Sequence, residues 1–275
     1  MTFIGYTNEL EATEQEMLVH FINVGQGDSI LIETPNQENI LIDGGPPDAS
    51  EKVIAYLKEQ NIKEIDLLIA THPDIDHIGG LLKVIDQFKI KEIWDSGKFY
   101  YTRTYHRYFR KIKNGNIPIE IAKVNTMKTL GDNISLIVLN ANSILKTNNQ
   151  SSLALSLTYG SVDFLLMSDV EKKQEIKLMQ RTDVESEVLK VAHHGSDTSS
   201  SFAFLQAVDP EIAILSYGED NTYGHPVGTT VNKLLDVGAT LYSTAKAGDI
   251  VIATDGETYR IDVSGVGRLI NKPIR

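Results

Sequence analysis

The sequence predicts an α/β protein built as an αββα sandwich, with two mixed β-sheets packed face to face and helices on both outer sides. A β meander opens the patterned part of the chain and leads into strand–helix–strand units. The second half repeats this order. Because no low-complexity linker divides the halves, we predict one domain over residues 18–265, with a loose segment at 1–17 and a tail at 266–275.

The elements of the first half follow from the spacing of apolar and turn residues. Three strand-like runs are separated by the turn signals Gly25-Gln26-Gly27-Asp28 and Pro35-Asn36, which predicts an antiparallel meander. Strands and helices then alternate. The predicted strands are 20–24, 29–33, 40–42, 65–70 and 90–94, and the predicted helices are 51–60 and 78–88.

The elements of the second half are predicted from the same signals. Short apolar runs come first, and strands separated by helix-like segments follow them. The predicted strands are 119–124, 134–138, 153–159, 162–167, 189–192, 212–216, 240–243, 249–253 and 258–263. The predicted helices are 172–180 and 229–237.

The most informative stretch is 71–80, which reads Thr-His-Pro-Asp-Ile-Asp-His-Ile-Gly-Gly and follows the apolar run at 65–70. Such side chains cost free energy to bury without a partner, and the C-terminal ends of parallel strands are where open α/β sheets place ligands. A helix cap would need only one carboxylate, so we interpret the motif as a site for a divalent zinc, manganese or iron ion. Its candidate ligands are His72, Asp74, Asp76 and His77.

Later segments also place polar side chains at predicted strand ends. Asp169 follows the run at 162–167, and His193-His194-Gly195-Ser196 follows the run at 189–192. His225 lies in a Tyr-Gly-His-Pro turn. Alone, Asp169 would suit a helix cap equally well, and a single histidine in a turn is more often solvated. Together these positions indicate one shared site.

Composition narrows the chemistry. The chain has 275 residues, 41% of them hydrophobic, and no cysteine, so metal ligands must be His, Asp, Glu or neutral oxygens. This composition favours hydrolysis over redox chemistry. No apolar run approaches the ~18 residues of a membrane span. The N-terminus lacks signal-peptide features, so a cytoplasmic protein is expected.

A net charge of −11 argues against broad coating of nucleic acid, with one local exception. Residues 98–113 contain six basic and six aromatic residues and no acid. The segment has two interpretations. It could track a nucleic-acid strand, with Arg103, Arg107 and Arg110 meeting phosphates and the rings stacking on bases. It could instead be an amphipathic helix or lid packed on the core.

These motifs resemble those of metallo-β-lactamase-fold hydrolases, and within that superfamily the chain is similar to the soluble domain of ComEC-type DNA-uptake proteins. The matching pieces occur in the family's order over roughly residues 18–263. They are 20–29, 41–45, 71–80, Asn148-Asn149 with Ser152-Leu153, Ser168-Asp169, 193–196, and Asn221 with 223–226.

The resemblance implies a site for one or two metal ions. His72 and Asp74 would bind one ion and Asp76 and His77 the second, with Asp169 bridging them and His225 completing the second site. The superfamily's commoner motif has histidine at the position of Asp74, and a further histidine where this chain reads Asn-Asn-Gln-Ser at 148–151. The first site is therefore poorer in nitrogen, which shifts the expected metal from zinc toward manganese.

The resemblance also implies a metal-dependent hydrolase, and we expect a phosphodiesterase or nuclease whose substrate is a phosphodiester such as DNA or RNA. Asp76 would orient the attacking water, and His193 or His194 would protonate the leaving alkoxide. Ser196 and Asn149 are predicted substrate contacts. Hydrolysis of a carbon ester, lactone or thioester remains open, and so does a non-catalytic metal-binding regulatory role. The physiological substrate, pathway and oligomeric state are not predicted.

Overall fold

The structure, a computed structural model, describes residues 16–141 and 147–265. Two large mixed sheets pack face to face with helices outside, so the predicted αββα sandwich is confirmed. The first strand begins at Met17, which is fully buried, so the expected loose segment ends earlier than its predicted limit at residue 17. Its remainder, 1–15, and the expected tail at 266–275 lie outside the described residues.

The first sheet has eight strands and joins both ends of the described chain. They are β1 (Met17–Phe21), β2 (Ile30–Glu33), β3 (Asn39–Ile42), β5 (Leu67–Ala70), β7 (Ile93–Asp95), β8 (Ile119–Ile121), β16 (Ile250–Thr254) and β17 (Tyr259–Val263). The predicted meander β1–β2–β3 is antiparallel, and β16 pairs with β1 on its other side. From β3 through β5 and β7 to β8 the pairing is parallel. Beside this sheet, β4 (Glu64–Ile65) pairs with β6 (Lys89–Ile90).

The second sheet has seven strands that follow one another in chain order. They are β9 (Met127–Gly131), β10 (Ile134–Asn140), β11 (Ala154–Tyr159), β12 (Val162–Leu166), β13 (Val188–Lys190), β14 (Ile212–Leu215) and β15 (Thr240–Ser243). Pairing is antiparallel from β9 to β12 and parallel from β12 to β15. The sequence pattern did not predict β9.

Helices cover the outer faces. They are α1 (Ser50–Glu59), α2 (Ile75–Ile78), α3 (Leu81–Gln87), α4 (Arg103–Asn114), α5 (Lys172–Met179), α6 (Phe202–Val208), α7 (Gly228–Asp236) and α8 (Thr244–Ala247). The single helix predicted at 78–88 is two helices that meet at Gly79 and Gly80, and α6 and α8 were not predicted. Within the described part of the chain, no helix combines the length and apolar character needed to cross a bilayer.

Three apolar layers hold the sandwich together. Side chains such as Phe21, Leu155 and Phe164 fill the space between the sheets. A second layer lies under α1, α3 and α4, and a third lies under α5, α6 and α7. Burying this apolar surface is the main stabilising contribution to the fold.

The topology brings the C-terminal ends of the parallel strands in both sheets to one edge. Asp43 follows β3, Thr71 and His72 follow β5, and Asp169 lies just beyond β12. The backbone N–H of Leu153 donates to the Thr71 carbonyl at 2.9 Å, which ties the two sheets together at this edge. Polar side chains that are distant in sequence therefore converge there.

Candidate metal centre

Four buried side chains converge at this edge, with Asp169 at the centre. His72, His77, Asp169 and His194 are each at most 3% exposed. The Asp169 carboxylate lies 3.7 Å from His72 Nε2 through Oδ2, and 3.6 Å from His77 Nε2 through Oδ1. His194 Nε2 lies 3.7 Å from the same Oδ1 atom. One carboxylate therefore faces these three buried imidazole nitrogens, and Nε2 of the partly exposed His193 also lies 3.7 Å from its Oδ2.

Two further carboxylates extend the cluster toward solvent. Asp74 Oδ2 lies 3.5 Å from His72 Nε2, and Asp76 Oδ2 lies 3.5 Å from His194 Nε2. Both aspartates are half-buried. Asp169 contacts donors on both sides of the cluster, namely His72 through Oδ2 and His77 and His194 through Oδ1. Asp74 extends the His72 side, and Asp76 groups with His77 and His194.

Unpaired buried atoms show that this donor set fits a metal. In the described part of the chain, Nε2 of His72, His77 and His194 and Oδ1 of Asp169 are buried without a hydrogen-bond partner. Buried polar atoms are normally satisfied. In each of two sets, His72, His77 and Asp169, and Asp76, His77 and His194, the ligand atoms lie within 4.8 Å of one another. Divalent ions shared among them would satisfy these atoms, and imidazole with carboxylate suits zinc, manganese or iron.

Hydrogen bonds behind the cluster fix the rings. His77 Nδ1 donates to Asp43 Oδ2 at 2.8 Å, which turns Nε2 toward Asp169. The Asp43 carboxylate also accepts from the backbone N–H of Thr71 at 2.9 Å and from its hydroxyl at 2.6 Å. His194 Nδ1 donates to the Ser216 carbonyl at 2.9 Å. Such partners set the tautomer and orientation of a metal-binding imidazole.

A buried ion pair between Lys190 and Asp28 lies next to His194 Nδ1. Lys190 is fully buried, and its Nζ lies 3.0 Å from each carboxylate oxygen of Asp28. Asp28 Oδ1 in turn lies 3.6 Å from His194 Nδ1. Asp28 precedes β2 of the first sheet and Lys190 ends β13 of the second, so the pair connects the two sheets directly behind the cluster.

Two glycines permit the close backbone approaches that form the site. Gly27 has φ +137°, and a Cβ there would lie 2.2 Å from the Asp76 carbonyl oxygen. A Cβ on Gly80 would lie 1.9 Å from the Gly44 carbonyl oxygen. Glycine is therefore required in the Gly-Gln-Gly-Asp turn and in the Gly-Gly pair that ends the 71–80 motif, because the loops pack too closely for a side chain.

Several residues at this edge have the left-handed backbone conformation without being glycine. They are Asp43, Ser168, His193 and His194, with φ between 44° and 57°. Such conformations cost roughly 1–3 kcal/mol each and persist only where the surrounding structure requires them. Their concentration beside Asp169 indicates a functional site.

The pKa shifts describe a strongly coupled cluster. Burial alone would raise the pKa of Asp169, but His194 and His77 hold it well below its usual value. Burial likewise opposes ionisation of Asp76, yet His194 and His77 lower its pKa to about 2. Both carboxylates are therefore ionised near neutral pH and available as ligands.

The amino-acid sequence was compared with models of known protein families. The family model of the metallo-beta-lactamase superfamily matches residues 22–219 of this chain. The chain belongs to the metallo-β-lactamase superfamily. This confirms the resemblance inferred from the motifs.

Two curated bacterial proteins are similar to most of this chain. ComE operon protein 3 of Bacillus subtilis (strain 168) is 32% identical over 227 residues, which cover 76% of this chain and 29% of that protein. Competence protein ComA of Neisseria gonorrhoeae is 27% identical over 248 residues, covering 90% of this chain and 33% of that protein. This chain therefore spans about a third of the length of these relatives.

Solved structures show the same superfamily fold. YhfI from Bacillus subtilis, described as a metallo-beta-lactamase fold protein, has a TM-score of 0.55 at 13% identity and covers 83% of this chain and 96% of its own. Igni18 from Ignicoccus hospitalis, described as a metallo hydrolase, has a TM-score of 0.55 at 14% identity and covers 85% and 98%. At this identity the likeness shows the shared fold alone.

The resemblance to the superfamily predicted six metal ligands, and five of them converge on the cluster around Asp169. The sixth, His225, lies beside it: its ring centre is 5.5 Å from that of His193 and 6.4 Å from that of His194. Among the described residues, His225 is in none of the groups whose ligand atoms lie within 4.8 Å. His194, predicted only as a proton donor, occupies the position near Asp76 and His77. Its neighbour His193 has the same residue type, so the sequence alone had no signal to separate them.

The predicted substrate contacts lie at the rim or farther away. Asn149 Nδ2 donates to His193 Nε2 at 3.2 Å, and this nitrogen lies 3.7 Å from Asp169 Oδ2. The Ser196 hydroxyl is buried and bonds Thr198 within its own turn at 3.0 Å. Asn148, noted in the sequence only as part of a motif, donates to Asp74 Oδ1 at 2.6 Å and fixes that predicted ligand. The three predicted arginines lie on α4.

Replacing His194 or His225 separates the two possible ligand assignments. We expect His194→Ala to weaken metal binding at least ~10-fold, because it removes a nitrogen that faces two carboxylates. We expect His225→Ala to retain the parent's metal stoichiometry. Elemental analysis and metal titration after chelation and reloading would measure both, with circular dichroism as the folding control. Metal loss in His225→Ala with retention in His194→Ala would restore His225 as the ligand.

Proposed function

We propose that this protein is a metal-dependent phosphodiesterase whose substrate class is nucleic acid. The observation that carries the proposal is the convergence of three unpaired imidazole nitrogens on one buried carboxylate, with half-buried Asp74 and Asp76 open to solvent. A purely structural cluster would pair these atoms with one another. A metal centre open on one side suits hydrolysis, because water and substrate need access to it.

The chain's donors divide between two metal positions. His72, Asp74 and Asp169 would hold one ion, and Asp76, His77, His194 and Asp169 would hold the other. Metal ions bound there would supply Lewis acidity, lower the pKa of water and clamp the attacking and leaving oxygens. Asn148 and Asp43 keep the ligands in place from behind.

The residues beside the donors have separate tasks. Asp76 is ionised and half-buried, so its carboxylate can accept a hydrogen bond from the attacking water and orient it. His194 is committed to the cluster through Nε2, which leaves His193 at the rim to transfer a proton to the leaving oxygen. Burial lowers the pKa of His193, so its proton-donating fraction grows as the pH falls.

Two observations support a nucleic-acid substrate. One curated relative, from Neisseria gonorrhoeae, is named a competence protein, and another, from Haemophilus influenzae, is named a recombination protein, and recombination acts on nucleic acid. In addition, α4 packs against α2, the short helix that carries Asp76 and His77. The exposed arginines of α4 therefore lie on an element next to the metal motif, where they can meet phosphates.

A comparison of substrate classes tests the proposal. The protein would be stripped with chelator, reloaded with manganese or zinc, and assayed on bis(p-nitrophenyl) phosphate, a single-stranded oligonucleotide and a panel of lactones. We expect metal-dependent hydrolysis of both phosphodiesters at rates at least about tenfold above any lactone, since a metal pair stabilises phosphoryl-transfer charge. Faster lactone hydrolysis would replace the proposal with a carbon-ester hydrolase. A protein that binds metal without hydrolysing any substrate would be a binding protein.

A further inference from the structure

An exposed aromatic and basic surface lies between β7 and α4. We define the α4 ledge as the loop residues 99–101 together with Arg103, Arg107 and Arg110 on α4. Phe99 is 62% exposed and Tyr101 is 92% exposed. The ledge lines a groove of about 680 Å³. Large aromatic rings exposed next to one another commonly mark a binding surface.

Contacts with the core hold the exposed rings in place. The Tyr101 and Phe99 rings meet edge to face at 4.7 Å, and Phe99 contacts the buried Tyr105 at 5.7 Å. Tyr105 contacts Phe109 at 4.8 Å. The Thr102 hydroxyl accepts from the Tyr105 backbone N–H at 3.2 Å and caps the start of α4. The rings are thus preorganised, which reduces the entropy lost on binding.

The positive charge of the three arginines on the ledge favours an anionic partner. Arg103, Arg107 and Arg110 are exposed and recur at helical spacing along one side of α4. Within residues 16–141 and 147–265, none of the three forms an ion pair with a carboxylate. Surface lysines elsewhere commonly do, as in Lys83 with Glu51 and Lys89 with Glu64. In a chain of net charge −11, three unpaired arginines beside exposed rings complement phosphates.

The ledge adjoins the metal centre. Asp95 at the end of β7 pairs in register with Ala70 at the end of β5, directly before Thr71 and His72. The chain leaves β7 there and forms the ledge within a few residues. In addition, α4 packs against α2, so the ledge belongs to an element that neighbours the helix carrying Asp76 and His77.

We propose that the α4 ledge binds single-stranded nucleic acid, with an unpaired base stacked on Phe99 and Tyr101 and the flanking phosphates on the three arginines. This inference rests on the proposed phosphodiesterase function and specifies its substrate. In a duplex the base faces are hidden within the stack, so aromatic rings of this kind select an unstacked strand. An anionic membrane is disfavoured because the apolar side of α4, at Tyr105, Tyr108 and Ile112, is already buried in the core.

Binding measurements on the metal-loaded protein test the ledge without requiring turnover. Fluorescence anisotropy would compare a phosphorothioate-linked 12-nucleotide single strand, the matching duplex and an abasic 12-mer that keeps the phosphates. We expect the single strand to bind at least about tenfold more tightly than the duplex. Since cleavage is not measured, failure here is distinct from failure of the phosphodiesterase assay.

Two variants divide the ledge into its stacking and charged parts. We expect the double variant Phe99→Ala and Tyr101→Ala to lose about 10- to 100-fold in affinity for the intact strand and to bind the abasic strand like the parent. We expect replacing the three arginines with alanine to weaken both and to reduce the slope of log affinity on log salt by about 2, as expected for three lost phosphate contacts.

Matched control variants remove an aromatic ring or three positive charges from surfaces outside the ledge. Phe202→Ala removes a half-exposed ring on α6, and a triple change to alanine at Lys58, Lys63 and Lys173 removes three exposed charges from other surfaces. Both controls should bind like the parent. Ledge variants that bind the single strand like the parent would overturn the proposal. So would variants that lose binding to anionic vesicles and retain binding to the oligonucleotide, because the ledge would then be a membrane contact.

Discussion

Asp76→Ala is expected to reduce phosphodiester turnover at least ~100-fold while the protein remains folded. The Asp76 carboxylate is ionised, half-buried and 3.5 Å from His194 Nε2, and we propose that it both binds metal and accepts a hydrogen bond from the attacking water. Its backbone carbonyl, which accepts from the Asp28 N–H at 3.3 Å, is unchanged by the substitution. The loop contact with Gly27 is therefore retained, and the fold should survive.

Initial rates on bis(p-nitrophenyl) phosphate, with metal content measured on the same samples, would test this expectation. Asp48→Ala, at an exposed aspartate before α1, is the matched control and should turn over like the parent. Metal content separates the two tasks of Asp76, because a slow variant that keeps its metal has lost the orienting group. Parent-like turnover with metal retained would reject the role.

Lys190→Met is expected to lower the free energy of unfolding by about 3–5 kcal/mol, since it leaves the buried Asp28 carboxylate without its cation. Methionine matches the length of the lysine stem, so the packing of β13 changes little. The exposed pair Lys83 and Glu51, 2.7 Å apart, provides the control. We expect Lys83→Met to leave the free energy of unfolding close to that of the parent, because solvent screens that pair.

Chemical denaturation of the parent, both single variants and the double variant Asp28→Asn with Lys190→Met would measure these effects. The double variant should recover part of the loss, because it leaves no buried charge unpaired. Equal losses in Lys190→Met and Lys83→Met would show that the buried pair contributes no more than a surface pair.

Local patterns in the sequence were sufficient to predict most of the strands and the overall fold class. The meander, most of the strands and the strand before the metal motif follow from apolar runs bounded by turn residues. Strand β9 was missed because its residues are partly exposed and only Leu130 is buried. The helix predicted at 78–88 is interrupted because Gly80 approaches the Gly44 carbonyl, a contact between segments far apart in the chain.

The metal motif at 71–80 was evident without coordinates, because polar residues of such density after a buried strand are a local signal. The choice between His193 and His194 depended on tertiary packing. Adjacent histidines look equivalent in sequence. In the structure both Nε2 atoms lie 3.7 Å from the Asp169 carboxylate, but His194 is buried and also faces Asp76, whereas His193 is partly exposed and meets Asn149.

The sequence by itself determined the chemistry available to this protein: a cysteine-free set of histidines and aspartates at strand ends, and a basic aromatic segment. Only the tertiary structure decided which of these groups meet. Lys190 and Asp28 are 162 residues apart, and β16 joins β1 from the far end of the described chain. Such long-range pairings depend on two sheets closing on a shared core, and no local periodicity encodes them.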